Sequence, residues 1–98
     1  MSSTAEAPSE MDILRRIVEQ DQEPFSVDTA QALLRLGFGE ADRVRIDELA
    51  ARNRKGELSP IEEEELSNYV RVGQMLGILQ SKARRSLKEA HRSKDNAG

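Results

Sequence analysis

Hydrophobic positions recur along the chain at helical spacings, and no segment alternates in the manner of a strand. The first group forms one face of a helix over residues 10–22: Ile13, Leu14, Ile17 and Val18. A Ser-x-x-Asp sequence at residues 9–12 favours a capped start for this helix. Pro24 limits its end, because the residue before a proline avoids the α region.

Two further helices are predicted at residues 26–36 and 40–55. Ser26 is the expected N-cap of the first, and Gly37 is expected to end it in a left-handed conformation. Gly56 is expected at the C′ position of the second. The residues expected to turn inward are Val27, Ala30, Leu33, Leu34, Leu36, Phe38, Ala41, Val44, Ile46, Leu49 and Ala50.

The longest pattern predicts a helix over residues 60–90. Ser59, Pro60 and Glu62 form a capping box with proline at the first helical position, where its missing N–H costs nothing. The apolar stripe of this helix comprises Leu66, Tyr69, Val72, Leu76, Leu79, Ala83, Leu87 and Ala90. Such a helix is about 45 Å long, whereas a compact domain of about 100 residues has a radius of gyration near 13 Å. It must therefore bend, at Gly73 or Gly77, or project outward and require a partner.

These elements predict an all-α protein, a small helical bundle or hairpin of three to four helices with a long C-terminal helix. The helical domain is expected over residues 10–91, between disordered ends at residues 1–9 and 92–98.

Composition indicates a thin core. Of the 98 residues, 37% are apolar and 34% are charged, and the aromatic residues are only Phe25, Phe38 and Tyr69. Globular domains usually have roughly 45–50% apolar residues, counting glycine. We therefore expect a chain that is marginally stable alone or that gains burial by pairing with itself or with a partner.

The sequence lacks the residues that several functional classes require. The absence of cysteine excludes a disulfide scaffold and a thiolate metal site. The chain has neither an apolar run of about 20 residues nor the features of a signal peptide, so we expect a cytoplasmic protein. A single histidine, His91, and the absence of nucleotide-binding or nucleophile motifs predict no enzyme, no cofactor and no metal.

The acidic run at residues 62–65 invites interpretation as a metal site. Consecutive helical residues point about 100° apart, so only Glu62 and Glu65 share a face. No histidine lies nearby to complete a ligand set. The run is better explained as the acidic first turn of the last helix, where it favours the helix dipole and solubility.

The last helix holds the candidate interaction residues. Gly73 and Gly77 lie four apart on one face, which fits either a kink, tight packing within the chain or close approach of another helix. Gln80 lies in the apolar zone, where it can fix register if buried. The partner-interface candidates are Tyr69, Gly73, Leu76, Gly77, Leu79, Ala83 and Leu87.

The charge of the chain is uneven. Residues 1–81 carry 9 basic and 16 acidic side chains, and residues 82–98 carry 6 basic and 2 acidic ones. The basic-patch candidates are Lys82, Arg84, Arg85, Lys88 and Arg92. They form a solvated face, a nucleic-acid contact or a docking site for an acidic protein surface, including the acidic end of the same helix in a second copy. Residues 26–55 resemble a helix-turn-helix, but the second helix has a mixed charge.

Residues 13–88 resemble an uncharacterised family of short all-helical bacterial proteins. The pattern is carried by "LSPIEEEELSNYVRVG", from Leu58 to Gly73, and by "LGILQSKAR", from Leu76 to Arg84. The resemblance implies a small antitoxin-like companion protein, encoded near HNH-type nuclease genes, and carries over no catalytic or binding residue. We therefore expect a non-enzymatic interaction module that binds a partner protein or itself through the last helix. The alternative is a nucleic-acid-binding regulator.

Overall fold

The computed structural model describes residues 7–97, and the side chains of residues 7–93. Within that part of the chain there are four helices and no strand: α1 (Glu10–Gln20), α2 (Val27–Arg35), α3 (Glu40–Arg54) and α4 (Pro60–Ala97). The predicted fold class is confirmed. Helix α4 extends past the predicted end at residue 90 into the segment expected to be disordered. The expected disorder at residues 1–6 and 98 lies outside the described residues.

The capping signals in the sequence set the helix starts. Ser9 and Asp12 form the predicted capping box, with N–H to side-chain distances of 3.0 and 3.2 Å. Ser26 accepts a hydrogen bond from the Thr29 N–H at 3.1 Å. Ser59 and Glu62 form the second box at 3.2 and 3.0 Å. Each of these bonds satisfies a donor that the first helical turn leaves without a partner.

The two glycine stops differ. Gly56 has a φ of 69° after the C-cap Lys55, and the Glu57 N–H returns to the Arg52 carbonyl at 2.9 Å, which is a Schellman end. The left-handed conformation expected at Gly37 is wrong, since Gly56 is the positive-φ glycine of the described chain. Helix α2 instead ends at Leu36, which has extended dihedral angles of −75° and 142°.

Helix α4 is the spine of the molecule. Helices α1, α2 and α3 each contact α4, and within the described chain none of the three contacts another. The α1 side of α4 is marked by Gly77 and Ser81, and the α2 side by Leu76 and Gln80. At 100° per residue these two sides lie about 100° apart around the helix. The molecule is flat, 58 × 44 × 17 Å.

Helix α4 continues without a break through Gly73 and Gly77. Its 38 residues correspond to about 57 Å at ~1.5 Å per residue, which matches the longest dimension of 58 Å. The radius of gyration is 18.1 Å, well above the value near 13 Å for a compact domain of about 100 residues. Of the two expectations for a long helix, the structure therefore has the extended one.

The core is as thin as the composition indicates. The buried apolar residues of the described chain are Val18, Ala30, Leu49 and Ala83. Because α1, α2 and α3 pack on α4 alone, each helix buries one narrow strip. Several residues expected to turn inward are consequently exposed, by 41 to 59%, and for these the prediction is wrong: Ile13, Ile17, Val27, Leu36, Val44 and Val72. Ala41 is also exposed.

Candidate protein-docking surface

The connector between α1 and α2 crosses α4 and is held there by buried polar groups. The Lys82 ammonium donates to the carbonyl and to the carboxylate of Asp21, at 2.8 Å each, and lies 4.9 Å from the centre of the Phe25 ring. The Phe25 N–H donates to Ser86 Oγ at 2.9 Å, and Ser86 Oγ donates to the Lys82 carbonyl at 2.8 Å. The hydrogen bond from Lys82 lowers the pKa of Asp21. We call residues 21–26 the strap.

The strap removes Lys82 from the basic-patch candidates. Lys82 is only 6% exposed. A charge so far from water needs paired partners, and Asp21 and Phe25 supply them. Nothing in the local sequence signals this pairing, since 61 residues separate Asp21 from Lys82. The remaining basic candidates, Arg84, Arg85, Lys88 and Arg92, are exposed.

Two arginines of α3 pair with the acidic first turns of α4. Arg45 binds the Glu65 carboxylate through two nitrogens at 2.9 and 2.8 Å, and Arg52 binds Glu62 in the same way at 2.7 Å. Bidentate pairs of this kind fix orientation as well as charge. Arg52 and the Ser59 N–H lower the pKa of Glu62 to about 2, and Arg45 lowers that of Glu65. The two carboxylates that share a face are therefore occupied within the chain, while Glu63 and Glu64 stay exposed.

An open apolar groove lies between the end of α2 and the middle of α4. A cavity of about 350 Å³ is lined by Leu36, Gly37, Phe38, Val72, Met75, Leu76 and Leu79. Through Phe38 and Val72 it continues into a second cavity of about 250 Å³ that also contacts Glu65, Asn68 and Tyr69. We call these two cavities together the apolar groove. Leu36 is 56% exposed and Val72 is 48% exposed, so the groove presents large side chains to solvent.

The structure divides the predicted interface residues into three groups. Leu76 and Leu79 lie in the apolar groove, half-buried, and Tyr69 forms its far end. The Tyr69 hydroxyl donates to Asp42 at 2.8 Å, which raises its pKa, and its ring meets Phe38 edge to face at 5.6 Å. Ala83 is 0% exposed, so packing within the chain removes it from any interface.

The third group faces other surfaces. A Cβ on Gly73 would lie 3.7 Å from the Phe38 ring, so this glycine is covered from within the chain. A Cβ on Gly77 would meet nothing within 4 Å, and this residue lies in a separate groove of about 500 Å³ beside α1. Leu87 is half-buried and lines a concave surface with Arg84, Lys88 and His91.

Leu36, Phe38, Val72 and Met75 are groove residues that the predicted interface lacks. Sequence periodicity assigned the first three to the core because they continue apolar stripes. A second signal was available: Val72 and Leu79 of the main stripe also recur with Ile61, Asn68 and Met75 at spacings typical of a helix–helix seam. Gln80 is half-buried, as its place in the apolar zone allows. Its amide donates to the carbonyls of Leu33 and Leu36 at 2.9 and 2.8 Å and thereby caps α2.

The described residues do not form the arrangements that three other functional classes require. Helices α2 and α3 do not contact each other, so residues 26–55 lack the packed helix pair of a helix-turn-helix. The described residues contain no group of three or more metal-ligating side chains. No helix within residues 7–97 has the length and apolarity needed to cross a membrane.

The chain was compared with known protein families, with curated proteins and with solved structures, and none of the three comparisons gives a match. The resemblance of residues 13–88 to a bacterial family stays a prediction.

Proposed function

We propose that the protein is a non-enzymatic interaction module that binds another protein chain through the apolar groove. The observation that carries this proposal is the exposure of large apolar side chains along one side of α4, at Leu36, Val72 and Ile61. Exposed apolar patches of this kind mark interaction sites in small soluble proteins. An antitoxin-like role, in which the bound chain is held inactive, remains part of the same proposal.

The surface area of the molecule supports this proposal. The accessible surface is 7358 Å², whereas a compact monomer of this size has about 5,600 Å². The excess is larger than the roughly 800 Å² that each partner buries in a standard interface. A flat, thin-cored fold therefore has both the area to bury and the need for additional burial.

The test is a pair of matched substitutions on α4. Val72→Asp places a charge in the apolar groove, whereas Val70→Asp places the same charge on another side of the helix, where the valine is 52% exposed. Both variants are compared with the wild-type chain for retention of proteins from an extract of the source cells, and for self-association. Loss of binding in Val72→Asp alone supports the proposal. Equal binding by all three chains contradicts it.

The exposed cations of α4 favour a second candidate function, binding to nucleic-acid phosphates. Arg84, Arg85, Lys88 and Arg92 are accompanied by a single acidic residue, Glu89, between residues 82 and 93. Phosphate binding requires an affinity that falls steeply with salt. An Arg84→Ala/Arg85→Ala double variant that binds duplex DNA and RNA as the wild type does would remove this candidate.

A further inference from the structure

The side of α4 that borders the apolar groove carries a seam of heptad type. Its positions alternate between spacings of four and three: Ile61, Glu65, Asn68, Val72, Met75 and Leu79. An average spacing of 3.5 residues is the pattern by which two helices pack along their length. The seam spans about 27 Å at ~1.5 Å per residue, and its first residue, Ile61, is 78% exposed. We call these six residues the α4 seam.

One edge of the α4 seam is covered by the chain itself, and the other edge is open. Glu62, Tyr69 and Leu76 form the covered edge, since they contact α3 and the end of α2. The open edge carries two exposed charges of opposite sign, Glu64 and Arg71. Seven residues separate them, or about 10.5 Å along the helix, so they cannot pair within one chain.

Both charges lack an ion-pair partner among the described residues. Among the described residues, the side chain of Arg71 forms one hydrogen bond, to Ser67 Oγ at 3.2 Å. Arg45 and Arg52, by contrast, are both engaged by carboxylates of α4. An open seam with one unpaired acid and one unpaired base, one on each side of the polar pair Glu65 and Asn68, is self-complementary under a two-fold axis.

We infer that the α4 seam binds the α4 seam of a second copy of this chain in antiparallel orientation. The inference rests on the proposed function and names the partner. A two-fold axis between Glu65 and Asn68 places Ile61 against Val72 of the second copy, and Glu65 against Asn68 of the second copy. The same axis brings Glu64 beside Arg71 of the second copy, twice per dimer. The antiparallel arrangement also opposes the two helix dipoles favourably.

Charge selects this register over its neighbours. Sliding the second copy by one heptad toward Leu79 places the two Arg71 side chains beside each other, where they repel. A parallel pair places Glu64 level with Glu64 of the second copy and leaves both charges without an opposite partner. The strap, which crosses α4 at Lys82 and Ser86, closes the seam beyond Leu79.

The test uses charge reversal on the full chain, followed by sedimentation equilibrium in low salt. Glu64→Arg and Arg71→Glu, each alone, should weaken dimerisation at least tenfold, because each places like charges together on both flanks. The Glu64→Arg/Arg71→Glu double variant, and an equimolar mixture of the two single variants, should restore it. Glu63→Arg is the matched control: it makes the same charge change one residue away, about 100° around the helix, and should dimerise as the wild type does.

Register is tested by cross-linking, because the natural chain has no cysteine. A mixture of Ile61→Cys and Val72→Cys chains should form the mixed disulfide in preference to either symmetric one. A symmetric Val72→Cys disulfide as the main product, or Ile61→Cys bound to Leu79→Cys, overturns the proposed register. Circular dichroism establishes first that each variant is as helical as the wild type.

Failure of this inference is distinguishable from failure of the proposed function. If the wild-type chain stays monomeric at millimolar concentration, the second copy is not the occupant and the inference is overturned. If that monomer still loses a protein partner on Val72→Asp but not on Val70→Asp, the proposed function stands with a different occupant.

Discussion

Replacing either glycine of α4 with alanine should stabilise the isolated chain. Glycine within a helix costs about 1 kcal/mol relative to alanine, because it loses more backbone freedom on folding. A Cβ added at Gly77 meets no atom within 4 Å, so we expect the full gain of about 1 kcal/mol there. At Gly73 the new Cβ would lie 3.7 and 4.0 Å from Phe38 ring atoms, which is ordinary van der Waals contact. The expected gain at Gly73 is therefore also about 1 kcal/mol.

The measurement is urea unfolding followed by far-ultraviolet circular dichroism, at a concentration where the chain is monomeric, since self-association would add its own free energy. Each gain should raise the urea midpoint while the m-value stays unchanged. In a thermal unfolding experiment, the same gain should raise the midpoint temperature by roughly 4–8 °C in a domain of this size. Gly39→Ala is the matched control. Gly39 is the N-cap of α3 and has equal space around it, but at an N-cap alanine is clearly worse than glycine, so this variant should be destabilised.

A Gly77→Ala variant that is less stable than the wild type as a monomer would refute this reasoning. It would mean that some contact within the chain tolerates no side chain at residue 77, although the structure has open space there. A stabilised variant would mean that the fold of the monomer does not require glycine there. Of the hypotheses for the glycine pair, a sharp kink does not fit the structure, because the ~57 Å length of a straight 38-residue helix matches the longest dimension of 58 Å.

Three further predictions concern the packing around α4. Leu49→Ala, at the largest fully buried side chain, should destabilise the chain by about 2–5 kcal/mol, measured by urea unfolding, whereas Val44→Ala, 47% exposed, should change little. The folded-state pKa of Glu62 is lowered from an ordinary 4.5 to about 2, so its contribution is complete above pH 4.5 and is lost as the pH falls toward 2; Glu62→Gln should flatten the dependence of the urea midpoint on pH in that window. Asp21→Asn should lower the melting temperature at least as much as Lys82→Met, because it leaves a buried ammonium without its counter-charge; a smaller loss for Asp21→Asn would contradict this account.

Local chemistry made the helix ends predictable. The Ser9, Ser26 and Ser59 caps and the Gly56 stop depend on residues within four positions of each other, and all four are present. The left-handed stop predicted at Gly37 is wrong, because the chain leaves α2 in an extended conformation at Leu36. The Gln80 amide of α4 instead donates to the exposed carbonyls at the end of α2.

Hydrophobic periodicity could not predict which side chains are buried. An apolar stripe shows which side of a helix prefers to be covered, and it does not show how many neighbours will cover it. Ile17 and Val18 are adjacent members of one predicted face, yet Ile17 is 59% exposed and Val18 only 8%, because α4 is the one helix of the described chain that contacts α1. The strap was equally hidden, since its two ends lie 61 residues apart in the sequence.

The four glutamates of residues 62–65 show how angle alone separates identical residues. Glu62 and Glu65 point toward α3 and receive Arg52 and Arg45, and Glu62 also closes the capping box. Because each step along the helix turns the side chain by about 100°, Glu63 and Glu64 cannot join them. The acidic end is therefore half neutralised within the chain, which weakens the expectation that it serves as a whole as a docking site for the basic end of a second copy. What remains available is one carboxylate beside the α4 seam, Glu64, and its opposite charge in a second copy is a single arginine rather than a basic patch.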